Sequence, residues 1–243
     1  MREPFALLVF DWDGTLMDSE SRIVQCVQAA ASDLALPIPE RDAVRNIIGL
    51  GLSEAVTTLF PGADTQLIDA VVGRYRSHFL GGNETPSPLF PGVAQTLHRL
   101  EQAGYLLAVA TGKGRAGLDR VLRDTGLAGL FHATRCADEA FSKPHPEMLL
   151  QLIDQLGVTA DETLMIGDTE WDMQMARNAG TECMAVCYGA HEVERLLRHA
   201  PLGCVQSIPE LAEWLQAWES DALPAEETGV TKSTPRTYSA DGK

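Results

Sequence analysis

Lysine is nearly missing from this chain. Lys113, Lys143, Lys232 and Lys243 are the whole set among 243 residues. Lysine and arginine together number 19 against 34 acidic residues, a formal charge of −15. A field of that sign repels phosphate backbones and anionic lipid surfaces, which argues against nucleic acid and membranes as partners. It also opposes any small phosphorylated ligand, so a phosphate site must carry its own local cations. Two of the four lysines fall in candidate site loops.

Cysteine is also sparse: Cys26, Cys136, Cys183, Cys187 and Cys204 are odd in number and lack CxxC pairing. That pattern speaks against a disulfide framework or a zinc site and for reduced thiols in a cytoplasmic protein. Cys183 and Cys187 flank a short apolar run, where buried packing is the simpler role. There is no apolar stretch of about 18 residues. The N-terminal MREPFALLVFDWDG lacks a small-residue cleavage site, so neither membrane insertion nor export is expected. No repeat of fixed period occurs.

What is present is a chain 45% hydrophobic, long enough for one sizeable core or a core with a small accessory unit. Residues 6–10 (ALLVF) form a wholly apolar run that stops at Asp11, as a buried parallel strand delivering its last residue to a crevice would. Similar runs at 106–110, 163–166 and 184–186 end at Thr111-Gly112, Gly167-Asp168 and Cys187-Tyr188-Gly189. Helix-period segments at 93–102, 115–124, 146–155 and 171–178 alternate with them, each closed by a glycine suited to a helix C-terminus. This alternation predicts an α/β fold, a doubly wound parallel sheet that binds ligands beyond the carboxyl ends of its strands. The stretch from Ser19 to about Gly82 breaks the pattern with consecutive helices and reads as an inserted helical domain. The expected division is 1–17 with 88–218 as the core, 18–87 as the insert, and 219–243, poor in anything to bury, as a disordered tail.

Asp11-Trp12-Asp13-Gly14-Thr15 places two carboxylates two residues apart at a strand end, followed by a glycine that lets backbone N–H groups turn toward an anion. Asp11 suits attack on phosphorus, and Asp13 suits a general acid that then acts as base. A strand-end turn in which one aspartate caps the next helix is the alternative. Thr111-Gly112 can donate a hydroxyl and an N–H to a phosphoryl oxygen, Lys143 can neutralise developing charge, and Asp168 with Asp172 can hold a hard divalent cation. Each also has an ordinary reading as a helix cap or a solvated surface group. Trp12 and Trp171 read as packing residues, and His145 as a partly exposed spacer.

In order along the chain, DWDGT at 11–15, ATG at 110–112, KPHPEM at 143–148 and GDTEWD at 167–172 resemble the four motifs of the haloacid dehalogenase superfamily. The likeness falls in its branch of phosphoglycolate phosphatases and β-phosphoglucomutases. The resemblance implies an Mg²⁺-dependent phosphatase acting on a small-molecule phosphate ester, phosphoglycolate-like, through an aspartyl phosphate. Asp11 would be nucleophile and metal ligand, and Asp13 the acid/base, offering its backbone carbonyl to the metal. Asp168 would be a further ligand. Asp172 would join the metal set or act through water or by orienting Lys143. Thr111, Gly112 and Lys143 would hold the phosphoryl group. The helical insert would be the family's cap, and its segment RNIIGLGLS would place Gly49 and Gly51 near the substrate, with Arg45 available to a carboxylate or second phosphate. A monomer or weak homodimer is expected. A sugar phosphomutase and a non-catalytic regulator that retains the fold stay open as alternatives.

Overall fold

The computed structural model describes residues 5–222. Strand β1 (Leu7–Phe10) is buried at every position, as a continuous apolar run covered on both faces must be. It lies at the centre of a six-stranded sheet with β2 (Leu106–Thr111), β3 (Ala133–Cys136), β4 (Thr163–Gly167), β5 (Glu182–Val186) and β6 (Cys204–Val205). The spatial order is β3-β2-β1-β4-β5-β6 and every pairing is parallel. Phe10 stands opposite Val109 on one side and Ile166 on the other, so Asp11, Thr111 and Asp168 leave the sheet at one edge. The strand order reverses between β1 and β4, the place where a doubly wound sheet opens its crevice.

Between β1 and β2 the chain forms α1 (Glu20–Asp33), α2 (Arg41–Arg45), α3 (Leu52–Leu59) and α4 (Thr65–Ser77). The last runs into a π-helical turn (His78–Gly82), and α5 (Val93–Gln102) follows. Then come α6 (Arg115–Thr125), α7 (Glu147–Leu156), α8 (Glu170–Ala179), α9 (Val193–Leu197) and α10 (Ile208–Ala222). Alternation along the strands sorts the core into two layers. Leu8, Phe10, Leu107 and Val109 face α5, α6 and α10 through Leu97, Leu118 and Leu211. Leu7, Val9, Ala108 and Ala110 face α7 and α8 through Leu149, Leu152 and Met173. The helices before α5 gather around apolar clusters of their own, one built on Ile23, Val27, Ile47 and Phe79, the other on Val56, Val71 and Val72. The two links between them and the sheet run side by side: the Asp18 N–H donates to the Pro88 carbonyl at 2.8 Å, and Phe90 N–H to the Leu16 carbonyl at 3.0 Å.

Strands 1, 2, 4 and 5 and the four glycine-closed helices stand where the apolar periodicity places them, within a residue or two at each end. Three features differ. β3 and β6 carry no apolar run: β3 reads Ala-Thr-Arg-Cys on the sheet edge, with the Arg135 guanidinium donating to Gln151 and Gln155 on α7. Helix α10 continues through Ala222, into the segment expected to be disordered from residue 219, where Glu219 accepts the Tyr105 hydroxyl; Trp218, just before it, stacks on Phe5. Residues 223–243 of that tail lie outside the described residues. Finally, the expectation of five reduced thiols is corrected for one pair. Cys187, just past β5, and Cys204, in β6, are joined as a disulfide with Cα atoms 5.9 Å apart, while Cys26, Cys136 and Cys183 are free and buried. Adjacency of two parallel strands brings that pair together, and a separation of 17 residues in sequence gives no hint of it. Among the described residues, no helix is long and apolar enough to cross a membrane.

Candidate functional site

Asp11 follows β1 directly and is 1% exposed. Lys143, on the loop before α7, places its ammonium 2.8 Å from Asp11 Oδ1 and 2.6 Å from Asp172 Oδ1. These are contacts of charge rather than aligned hydrogen bonds, and Asp11 Oδ2 has no hydrogen-bond partner among the described residues. Burial pushes the Asp11 carboxyl up to about 7; Lys143 opposes that rise, and Asp172 and Asp13 add to it. Burial by itself would depress the Lys143 ammonium, but Asp11 and Asp172 outweigh it and hold the pKa above the ordinary lysine range. A nucleophile needs an oxygen not committed to a hydrogen bond and a cation beside it, and Asp11, lining the cavity, has both.

Asp168 follows β4. Its Oδ1 accepts the Thr15 hydroxyl at 2.8 Å and its Oδ2 accepts the Ala190 N–H at 2.7 Å. Burial, then the charges of Asp11 and Asp172, raise its pKa well above the carboxylate range. Ligand oxygens of Asp11, Asp168 and Asp172 all lie within 4.8 Å of one another. Buried carboxylates crowded in this way stay ionised together only with positive charge beyond the single Lys143. With oxygen donors only and an unpartnered oxygen on Asp11, the set fits Mg²⁺ better than a softer ion. Asp172 is the most committed of the three. Its Oδ2 accepts both the Thr169 N–H at 3.0 Å and the Thr169 hydroxyl at 2.6 Å, and Oδ1 meets Lys143, so it closes the N-terminus of α8 and aims the lysine.

Gly14 makes this packing possible. Its φ is +86°, and a Cβ there would overlap the Asp168 carboxylate, so only glycine both adopts the turn and leaves that carboxylate its place.

Asp13 is held at both oxygens: Oδ1 accepts the Ser19 hydroxyl at 2.7 Å and Oδ2 lies 3.0 Å from Lys113 Nζ. The Lys113 ammonium also sits 4.2 Å above the Phe79 ring, in the π-helical turn, a cation–π contact from the sheet to the insert. Lys113 was visible in the sequence as one of two lysines in site loops, but only the folded chain shows which carboxylate it meets. Thr111 is buried, with its hydroxyl oxygen accepting the Lys113 N–H at 3.2 Å. A Cβ on Gly112 would come within 2.5 Å of the carbonyl oxygens of Gly49 and Leu50, so glycine there admits the insert's loop against the strand end.

Asp11, Asp13, Thr111, Gly112 and Gly49 share one cavity of about 240 Å³. Gly51 lies beside it, its N–H donating to the Ser142 hydroxyl at 2.7 Å. Arg45 is turned elsewhere: its guanidinium donates to the Ala190 carbonyl at 2.9 Å and pairs with Glu20 at 3.3 Å, and it is not among the residues lining the cavity. His191 and Arg195 complete that seam, meeting the Asn46 carbonyl at 3.3 Å and the Asn46 side chain at 2.7 Å. Trp12 is wholly buried against Phe131, Trp171 packs edge-on to His191, and His145 is exposed.

Comparison with known proteins gives a consistent picture. The family model described as haloacid dehalogenase-like hydrolase matches residues 8–186. The protein called probable phosphatase IndB in Dickeya dadantii is 37% identical over 209 residues, covering 84% of this chain and 91% of that one. A phosphoglycolate phosphatase of Aliivibrio fischeri is 33% identical over 209 residues, with 83% and 92% covered. Among solved structures, a predicted phosphatase from Clostridium acetobutylicum superposes with a TM-score of 0.80 over 88% of this chain and 100% of that one, at 23% identity, a likeness of fold.

Proposed function

The chain belongs to the haloacid dehalogenase-like hydrolase family, and from that membership we propose that it is a magnesium-dependent phosphatase that hydrolyses a small phosphate monoester through Asp11. One observation carries the reading: a buried carboxylate at the end of the central strand, with a lysine on one oxygen and the other oxygen unpartnered.

Asp11 attacks phosphorus as the bond to the leaving oxygen breaks, and Asp13 gives that oxygen its proton. Asp13 then takes a proton from the water that attacks the aspartyl phosphate, releasing phosphate and restoring Asp11. Thr111 and the Gly112 N–H orient the phosphoryl group, and Lys143 offsets charge on it. Asp11 and Asp168, with the Asp13 carbonyl, would hold Mg²⁺, while Asp172 acts by fixing Lys143. Bound there, the ion supplies positive charge to the transferring phosphoryl group and lowers the cost of bringing an anion among carboxylates. We assign residues 18–87 the role of a cap that keeps bulk water from the reacting atoms.

The relatives named as phosphoglycolate phosphatases support hydrolysis rather than isomerisation. The cap also contains no lysine, its cations being Arg22, Arg41, Arg45, Arg74 and Arg76, which weighs against the rephosphorylation of a sugar phosphate held by a basic pair there. The test is release of inorganic phosphate from a panel of monoesters with Mg²⁺ and with chelator. Wild type releases phosphate only with the ion, and Asp11→Asn releases none. Wild-type turnover in Asp11→Asn would sink the assignment.

A further inference from the structure

The cavity that opens onto Asp11 and Asp13 extends upward between the inserted helices, and its walls there are apolar. Ile23 and Val27 come from α1, Ile48 from the loop between α2 and α3, Ala55 and Val56 from α3, and Val71 from α4. A second anionic group on a substrate would need a free cation in this space, because a carboxylate buried without a partner is strongly disfavoured.

The buried cations on hand do not provide one. Lys113 is closed between Asp13 at 3.0 Å and the Phe79 ring at 4.2 Å. Arg45 is directed to Glu20 and the Ala190 carbonyl. Arg76 touches the cavity but is exposed, so its charge is largely screened by water. The remaining polar side chain that the insert offers is Tyr75, whose hydroxyl makes no hydrogen bond among the described residues. That is one neutral donor or acceptor in an otherwise apolar chamber.

Resting on the phosphatase reading above, we propose that the ester hydrolysed here carries an uncharged, predominantly apolar leaving group, seated between α1, α3 and α4 with at most one polar substituent directed to Tyr75. The wall contributes through removal of apolar surface from water, and it discriminates against phosphoglycolate, whose carboxylate would enter the cavity with no buried cation free to meet it. The cavity of about 240 Å³ is sized for a body about as large as a single ring.

The test compares benzyl phosphate with phosphoglycolate on the full chain with Mg²⁺. Both are esters of primary alcohols, so intrinsic leaving-group reactivity is similar. The expected result is a kcat/KM at least about 10-fold higher for benzyl phosphate, in the range a hydrophobic pocket achieves. Ala55→Phe, which fills the chamber, lowers the ratio of the two kcat/KM values by about 10-fold or more. Equal or better turnover of phosphoglycolate overturns the proposal while leaving the phosphatase reading intact, as does an Ala55→Phe variant that slows both substrates by one factor. No phosphate release from either substrate or from the wider panel overturns the phosphatase reading itself. The wild-type comparison decides the matter even where Ala55→Phe fails to fold.

Discussion

Lys113 Nζ lies 3.0 Å from Asp13 Oδ2 while its ammonium covers the Phe79 ring at 4.2 Å. One side chain thus couples the carboxylate proposed to move protons to the helices proposed to close over it. The contact also spends a scarce lysine on internal geometry rather than on attracting a ligand.

Lys113→Met removes the charge but keeps most of the stem. Asp13 then retains only the Ser19 hydroxyl, and the π-helical turn loses its tie to the sheet. We expect kcat/KM to fall by about 10- to 100-fold, the cost of a mispositioned acid/base group, with faster amide exchange in residues 78–82. A variant within about 2-fold of wild type by both measures would show that the contact is incidental.

Gly14→Ala sets a Cβ on the Asp168 carboxylate and forces alanine into a φ of +86°. Backbone strain of this kind costs on the order of 1–3 kcal/mol, and the displaced Asp168 oxygen weakens the cation site. Denaturant titration gives the first quantity, and calorimetric titration with Mg²⁺ the second. Unchanged Mg²⁺ affinity in the folded variant would remove Asp168 from the metal set.

His191 makes stability depend on pH. Burial, with Arg195 nearby, lowers its pKa from 6.5 to about 4, so at neutral pH its Nδ1 accepts the Glu170 N–H at 3.1 Å and Nε2–H can serve the Asn46 carbonyl. The unfolded chain binds this proton below pH 6.5 and the native chain only near pH 4. Stability from this group is therefore complete above about 6.5 and is lost as pH falls toward 4, on the order of 3 kcal/mol in all. Urea midpoints of wild type and His191→Gln across that window should converge on acidification. Parallel curves would contradict the shift.

Much of the sheet was legible because its central strands are buried on both faces and so announce themselves as apolar runs. The same runs exposed the site: each stops where a polar residue must leave the sheet, which marks Asp11, Thr111 and Asp168. β3 escaped notice because an edge strand carrying Thr134 and Arg135 has no such signature, and the two-residue β6 has too little length for one. Contacts between distant segments were hidden for a different reason. The Lys113–Asp13–Phe79 contact, the disulfide of Cys187 with Cys204, and the withdrawal of Arg45 toward Glu20 and Ala190 depend on how loops far apart in sequence meet. Residue spacing carries no record of that.

Asp11, not water, is proposed to attack phosphorus first. The stereochemical course at an isotopically chiral phosphate ester measures this directly. Two successive in-line displacements, through an aspartyl phosphate at Asp11, predict net retention of configuration. Net inversion would mean a single attack by water and would contradict the account.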